Sequence, residues 1–192
     1  VFKDKSNQPK ASDRKTQNSY ESLVVALSLV LILFLLLLFK SDLGALVSSH
    51  LKSSPRLRSS QLLKLKDRSK IKIIVDELPL LVEVVNTQQS RSQGLSNRPE
   101  IGSDGMLFVF PETKRHSFWM NQMNFGLDFI WINQGKVVAI TNDAPAPSPN
   151  MNQGELPIYQ PDQKVDMVLE VNDNFLENNQ IDIGDIVKRQ SS

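Results

Sequence analysis

Cysteine is absent from the 192 residues. That removes disulfides, metal–thiolate sites and thiol catalysis, and it leaves the compartment open. Histidine is nearly as scarce: His50 and His116 are too few to build a zinc-type ligand set. The eight glycines form no Gly-rich phosphate loop, and no recognisable Ser/His/Asp motif is present. The reading therefore implies neither a cofactor nor a metal. Net charge is also small, +1 overall, but that balance hides an asymmetry. Residues 1–72 carry 14 Lys/Arg against 5 Asp/Glu, net +9, and residues 73–192 carry 8 against 16, net −8. Such a split argues for separate jobs, a basic tail and stalk followed by an acidic folded part. An acidic folded part would repel phosphate, so no nucleic-acid partner is expected.

One long apolar run is present. Leu23 to Phe39 reads LVVALSLVLILFLLLLF, without a charge. As a helix its 17 residues would reach about 26 Å, just short of a ~30 Å hydrocarbon core. Tyr20 and Lys40 at its ends can cover the deficit by sitting at the interface or snorkelling. The run is expected to be a single-span anchor with the lipid bilayer as its partner. A cleaved signal peptide competes, but its apolar core would be shorter, at ~7–15 residues, and followed closely by a small-residue cleavage site. Basic residues flank both ends of the run, so the positive-inside rule barely votes. By analogy with signal anchors, the tail is placed inside and the domain outside the membrane.

Four segments follow from composition: a disordered basic tail over 1–19, the anchor over 20–40, a Ser/Lys/Arg-rich stalk over 41–71 and a folded domain over 72–190. Within the domain, Lys72–Val75, Leu80–Val85, Gly105–Phe110, His116–Asn121, Leu127–Ile132, Lys136–Thr141 and Lys164–Val171 read as short strands. Asn133-Gln134-Gly135 closes a hairpin. Thr87 to Gln93 reads as a helix with Thr87 as N-cap and Gly94 as its terminator. A second short helix follows Asn172, and Gly184-Asp185 reads as a turn. Asp143 to Asn150, DAPAPSPN, opens a long polar loop of the kind that is usually functional or mobile. The expected fold is mainly β: a small β-barrel or sandwich of seven to eight short strands with two short helices, preceded by one transmembrane helix.

Several of these segments, in this order, resemble the bacterial and archaeal family known as domain of unknown function 192. The matching pieces are Arg91-x-x-Gly94-Leu95-x-x-Arg98, Gly105 to Phe110, Phe118-Trp119-Met120 and Leu127-Asp128-x-Ile130. Further along come Gly135 to Val138, the proline loop, Tyr159, Val168 to Val171 and Gly184-Asp185. The resemblance implies a small, mostly β domain in a family with no agreed activity. This chain departs from it twice. Asn121-Gln122-Met123 stands where the family usually has Lys-Asn-Thr, and Pro145-Ala146-Pro147 where its loop often carries cysteine. No role of that lysine or cysteine carries over.

Six residues are candidates for ligand contact: Arg91, Arg98, Trp119, Asp128, Tyr159 and Glu170. Asp128 shares a strand face with Ile130 and Ile132, so burial would require a partner. Arg98 or Arg91 is expected to supply one, as a structural ion pair. Trp119 alternates with His116, Phe118 and Met120, so one face of that strand is core and the other would expose an aromatic or a methionine. Burial of both faces, beneath the helices and the proline loop, is favoured over an aromatic-lined groove. His116 follows Lys114-Arg115 and reads as a surface residue. Asp166 and Glu170 share a strand face, but their ~13 Å separation exceeds that of a glycosidase carboxyl pair. No complete catalytic set emerges. The expectation is a membrane-tethered, non-catalytic module for a small molecule, glycan or envelope protein. The alternatives are an envelope-polymer hydrolase using Asp128 or an accessory subunit of a membrane complex.

Overall fold

The structure, a computed structural model, describes residues 55–190 and, ahead of them, Leu27, Ser28 and Leu31. Those three are helical, with the Leu27 and Leu31 side chains exposed. The rest of the expected anchor and the whole of the expected tail lie outside the described residues. Among the described residues no helix is long and apolar enough to cross a membrane.

The chain divides into two units, Val1–Ser53 and Ser54–Ser192. The second is mainly β. Its strands are β1 (Lys70–Val75), β2 (Leu78–Val85), β3 (Gly105–Lys114), β4 (Phe118–Trp119), β5 (Leu127–Asn133), β6 (Lys136–Ala144), β7 (Ile158–Tyr159), β8 (Val165–Asn172) and β9 (Val187–Arg189). Three short α-helices accompany them, α1 (Ser59–Leu62), α2 (Gln88–Gln93) and α3 (Phe175–Asn179), with a 3-10 turn at Gln153–Glu155. Seven strands form one sheet in the order β6-β5-β8-β3-β2-β1-β9, and β4 pairs with β7 as a separate ribbon. Neighbours in the large sheet run antiparallel except β2 and β3. That parallel pair needs a crossover, and α2 lies within it.

The sheet curls until its two edges meet at one corner. Val137 donates to the Asp185 carbonyl, Val187 to the Gly135 carbonyl and Leu57 to the Val187 carbonyl, at 2.8–2.9 Å. The result is a half-barrel, between the barrel and the sandwich expected from sequence. The hairpin at this corner is a two-residue turn with positive φ at both Gln134 and Gly135. That backbone twist matches the twist of the flanking strands. Gly135 is required twice over, because a Cβ there would also lie 2.7 Å from the Leu57 carbonyl oxygen.

Two corrections concern boundaries. Leu57 and Leu62, read as stalk, are fully buried in the core inside the curled sheet. The folded unit thus begins ahead of Leu57, and it holds 15 Lys/Arg against 17 Asp/Glu, net −2. The described end of the basic segment, residues 55–72, belongs to the same folded unit as the acidic part, so the change of charge at residue 72 marks no domain border. Second, β3 runs past Pro111 to Lys114, with a register shift after Val109. Proline is tolerated where the ladder is already interrupted.

Both faces of the central strands are covered. Leu107, Val109, Ile130, Ile132, Met167 and Leu169 face the inside of the curl. On the outer face Met106, Phe108, Leu127, Phe129, Trp131 and Val168 pack beneath Leu95, Ile101, Met120 and Met123. Trp131 is fully buried there and donates from Nε1 to Thr141 Oγ1 at 2.9 Å. Double burial explains why β5 and β8 read as nearly unbroken apolar runs.

Candidate functional site

Over the outer face, α2, β3 and β4 enclose an open pocket of about 300 Å³. The start of α2 is fixed first. Thr87 and Ser90 form a reciprocal capping box, as the Thr87 reading anticipated. Asp67 accepts from Ser90 Oγ and from the Asn86 amide at 2.8 and 3.0 Å. At the other end, Gly94 has φ +49, and a Cβ on it would meet the Phe108 ring at 3.2 Å. The end of the helix therefore lies close against β3.

Arg91 projects from this helix and lines the pocket. Its Nη1 donates to the Asn86 and Val109 carbonyls at 2.7 and 2.9 Å, and its guanidinium sits 5.3 Å from the Phe110 ring centroid. Among the described residues it has no carboxylate within salt-bridge distance. Phe110 in turn stacks on His116, with centroids 3.6 Å apart. His116 is buried, contrary to the surface expectation: it precedes β4, which is shorter than the strand read over His116–Asn121, and its ring is covered by Phe110. Its Nε2 lies 3.1 Å from the Glu112 carbonyl oxygen, an acceptor only, so Nε2 carries the proton. Burial holds the imidazole below its usual range, in the neutral form.

Glu170 of β8 lies opposite Met106 on one side and Phe129 on the other, and it lines the pocket. It is 6% exposed, and Oε2 is enclosed without a hydrogen-bond partner. Desolvation pushes its carboxyl up to about 8. At neutral pH it is mostly the uncharged acid, able both to donate and to accept a hydrogen bond. Phe118 closes the pocket's inner wall, with its ring 4.9 Å from that of Phe108. Trp119 is 51% exposed at the mouth, beside its cross-strand neighbour Ile158.

Of the six candidates from sequence, the structure gathers Arg91, Trp119 and Glu170 around this pocket. Arg98, Asp128 and Tyr159 sit elsewhere. Arg98 makes a two-pronged ion pair with Glu83 at 2.8 and 2.9 Å, and Arg68 joins it at 2.9 Å. The Arg98 hydrogen bonds hold the Glu83 carboxyl below its usual range, against the opposing effect of burial. Asp128 is buried, but its partners are not the expected arginines. Oδ1 accepts from the Asp143 amide and Oδ2 from the Leu176 amide, both at 2.9 Å. Those bonds tie the end of β6 and the start of α3 to the sheet. Tyr159 pairs with Phe118 across the ribbon and packs 5.3 Å from Phe129. The proline loop does not line the pocket.

Sequence reading missed Phe108, Phe110, Phe118 and His116 as walls of one site. The alternation of Met106, Phe108 and Phe110 against Leu107 and Val109 marks a second apolar face. Glu83, a single acid within LLVEVV, likewise signals a fixed partner.

No curated protein matches the chain significantly. A crystal structure from Sinorhizobium meliloti, provisionally described as a transcription regulator, superposes with a TM-score of 0.56 at 25% identity, covering 65% of this chain and 97% of the other. A protein of unknown function from Novosphingobium aromaticivorans superposes with a TM-score of 0.53 at 23% identity, covering 62% and 84%. The family model DUF192, described as "Uncharacterized ACR", matches residues 71–189. This span takes in the strands of the half-barrel but for Lys70 at the start of β1, and all of the pocket, and the chain belongs to the DUF192 family.

Proposed function

We propose that the folded unit is a non-catalytic binding module that takes a small organic ligand in the pocket between α2, β3 and β4. One observation carries this reading: Glu170, with its Oε2 buried and unpartnered, lines a cavity whose wall combines phenyl rings with the Arg91 guanidinium and uncharged polar side chains. Orphaned buried polar groups cost about 1–3 kcal/mol, so a fold keeps one where a ligand or water completes it. A concave site where aromatic side chains meet convergent polar groups is a usual form of ligand site. The reading includes a tether: the Leu23–Phe39 run would hold the module at a bilayer, on the extracytoplasmic side. Sedimentation of the full chain with membranes after alkaline washing, lost on deleting residues 23–39, tests the tether.

The hydrolase reading loses its acid, because both Asp128 oxygens are already engaged by backbone amides. Proton transfer would have to fall to Glu170, whose carboxyl titrates near neutrality. A turnover that vanishes in Glu170→Gln while binding survives would favour that alternative. The description of the Sinorhizobium protein is not adopted, since a folded unit of net −2 lacks the strong positive charge that phosphate binding draws on. A fragment screen by amide chemical-shift mapping on the full chain tests the binding reading. Shifts clustered at Gly94, Phe108, Phe118 and Glu170 are expected, and a screen without any such cluster would end the proposal.

A further inference from the structure

The pocket's chemistry narrows what it would hold, given that it is a ligand site. Arg91 is the one permanently charged side chain lining it. Only Nη1 of that guanidinium is committed to protein carbonyls. Nε and Nη2 have no protein acceptor among the described residues, and the fork they form matches a carboxylate. Part of the wall is rings, Phe108, Phe110 and Phe118, with Trp119 at the mouth, and glutamine and serine side chains line the rest. The rings favour a flat apolar body. Glu170 adds a buried polar point, set between its cross-strand neighbours Met106 and Phe129 with Oε2 unpartnered. A volume of about 300 Å³ is at the small end for ligand pockets and suits a single-ring compound.

We propose that the pocket takes a small planar carboxylic acid with an uncharged polar group, a hydroxyl, amide or carbonyl, at its far end. The carboxylate accepts from the free N–H groups of Arg91, the flat body lies among the phenyl rings, and the uncharged group meets Glu170. An amine is the competing occupant. Already an ammonium near neutral pH, it would need Glu170 to release its proton to solvent before pairing with it, and would sit beside the Arg91 cation. His116, neutral when buried, offsets neither charge.

Three probes separate these cases in calorimetric or shift titrations of the full chain near neutral pH: 4-hydroxybenzoate, benzoate and 4-hydroxybenzylamine. We expect 4-hydroxybenzoate to bind tightest, with benzoate about 3- to 10-fold weaker for the lost hydrogen bond. The amine should be weaker still. Arg91→Met should weaken both acids by about 10- to 100-fold, and Arg91→Lys, which keeps the charge without the fork, should fall between. Glu170→Leu should erase the preference for the hydroxyl and leave benzoate within about twofold. Tighter binding of the amine, or acid affinity unchanged in Arg91→Met, would overturn the inference and leave the pocket standing as a ligand site. If none of the three binds, the carboxylic-acid assignment is overturned, and the fragment screen decides separately whether the pocket binds anything.

Discussion

Two carboxylates sit one register step apart on adjacent central strands and face opposite sides of the sheet. Asp128 pairs across with Val171, and Glu170 with Phe129. Both are at most 6% exposed. Inside the curl, Asp128 receives one backbone N–H on each oxygen. On the outer face, Glu170 Oε2 receives none. The same chemical group, equally buried, is a fastener on one face and an open valence on the other. Burial therefore does not separate structural from functional acids in this fold; the inventory of partners does.

The comparison breaks first at Asp128. Asp128→Ala leaves two amides without acceptors, at the end of β6 and at the start of α3. A loss of about 4 kcal/mol in urea unfolding is expected, with faster amide exchange around Asp143 and Leu176. Asp128→Asn should cost less, since its one carbonyl oxygen still serves one amide.

Glu170 should behave in the opposite way. Its folded carboxyl titrates at about 8 against a model value of 4.5, so between those values the folded state holds a proton that the unfolded chain has released. Stability must then fall as pH rises through that window, by roughly 3 kcal/mol between about pH 5 and pH 8. Glu170→Gln should flatten that slope and unfold later than the native protein at pH 8. A native stability that rises across the window by the same amount would refute the assignment. His116, held below its usual range, works in the other direction below neutrality. The native-minus-variant difference is therefore the quantity to read.

Glu83 lies between these extremes. Its carboxyl is held low by Arg98 and Arg68, so its contribution is present above its unfolded value and is lost as pH falls through the folded one. Arg98→Met should cost about 1–2 kcal/mol at neutral pH in chemical unfolding, and less in acid. Trp119→Ser should be the mildest. A half-exposed ring at the mouth is expected to change stability by under ~1 kcal/mol, while weakening any ligand that stacks there.

Much of this was legible locally. Thr87 caps α2 because a hydroxyl three residues before a free amide can hardly do otherwise, and the Gln134-Gly135 hairpin follows from turn chemistry. In the segment holding Trp119, alternation left the exposed face undecided, and the favoured burial of both faces fails at Trp119, which stands half exposed while Met120 is buried. Reading failed where a distant partner set the outcome. Leu57 looked like linker because its neighbours are Ser, Lys and Arg, yet Val187 and Gly135 reach it across the closing edge of the sheet. Asp128 was assigned an arginine because charge suggests charge, whereas two amides more than ten residues away satisfy it. Pro111 looked like a strand end and is a strand interior.

The sequence alone determined the family, the strand-rich character and the local caps and turns, because each depends on neighbours within a few positions. It also supplied Arg91, Trp119 and Glu170 as candidates. Which of two buried acids would be satisfied, and that three phenyl rings and an arginine would share a cavity with the other, came only with the curled sheet. Strand register decides which face each carboxyl meets, and the long-range pairing of β8 with β3 and β5 decides what covers it.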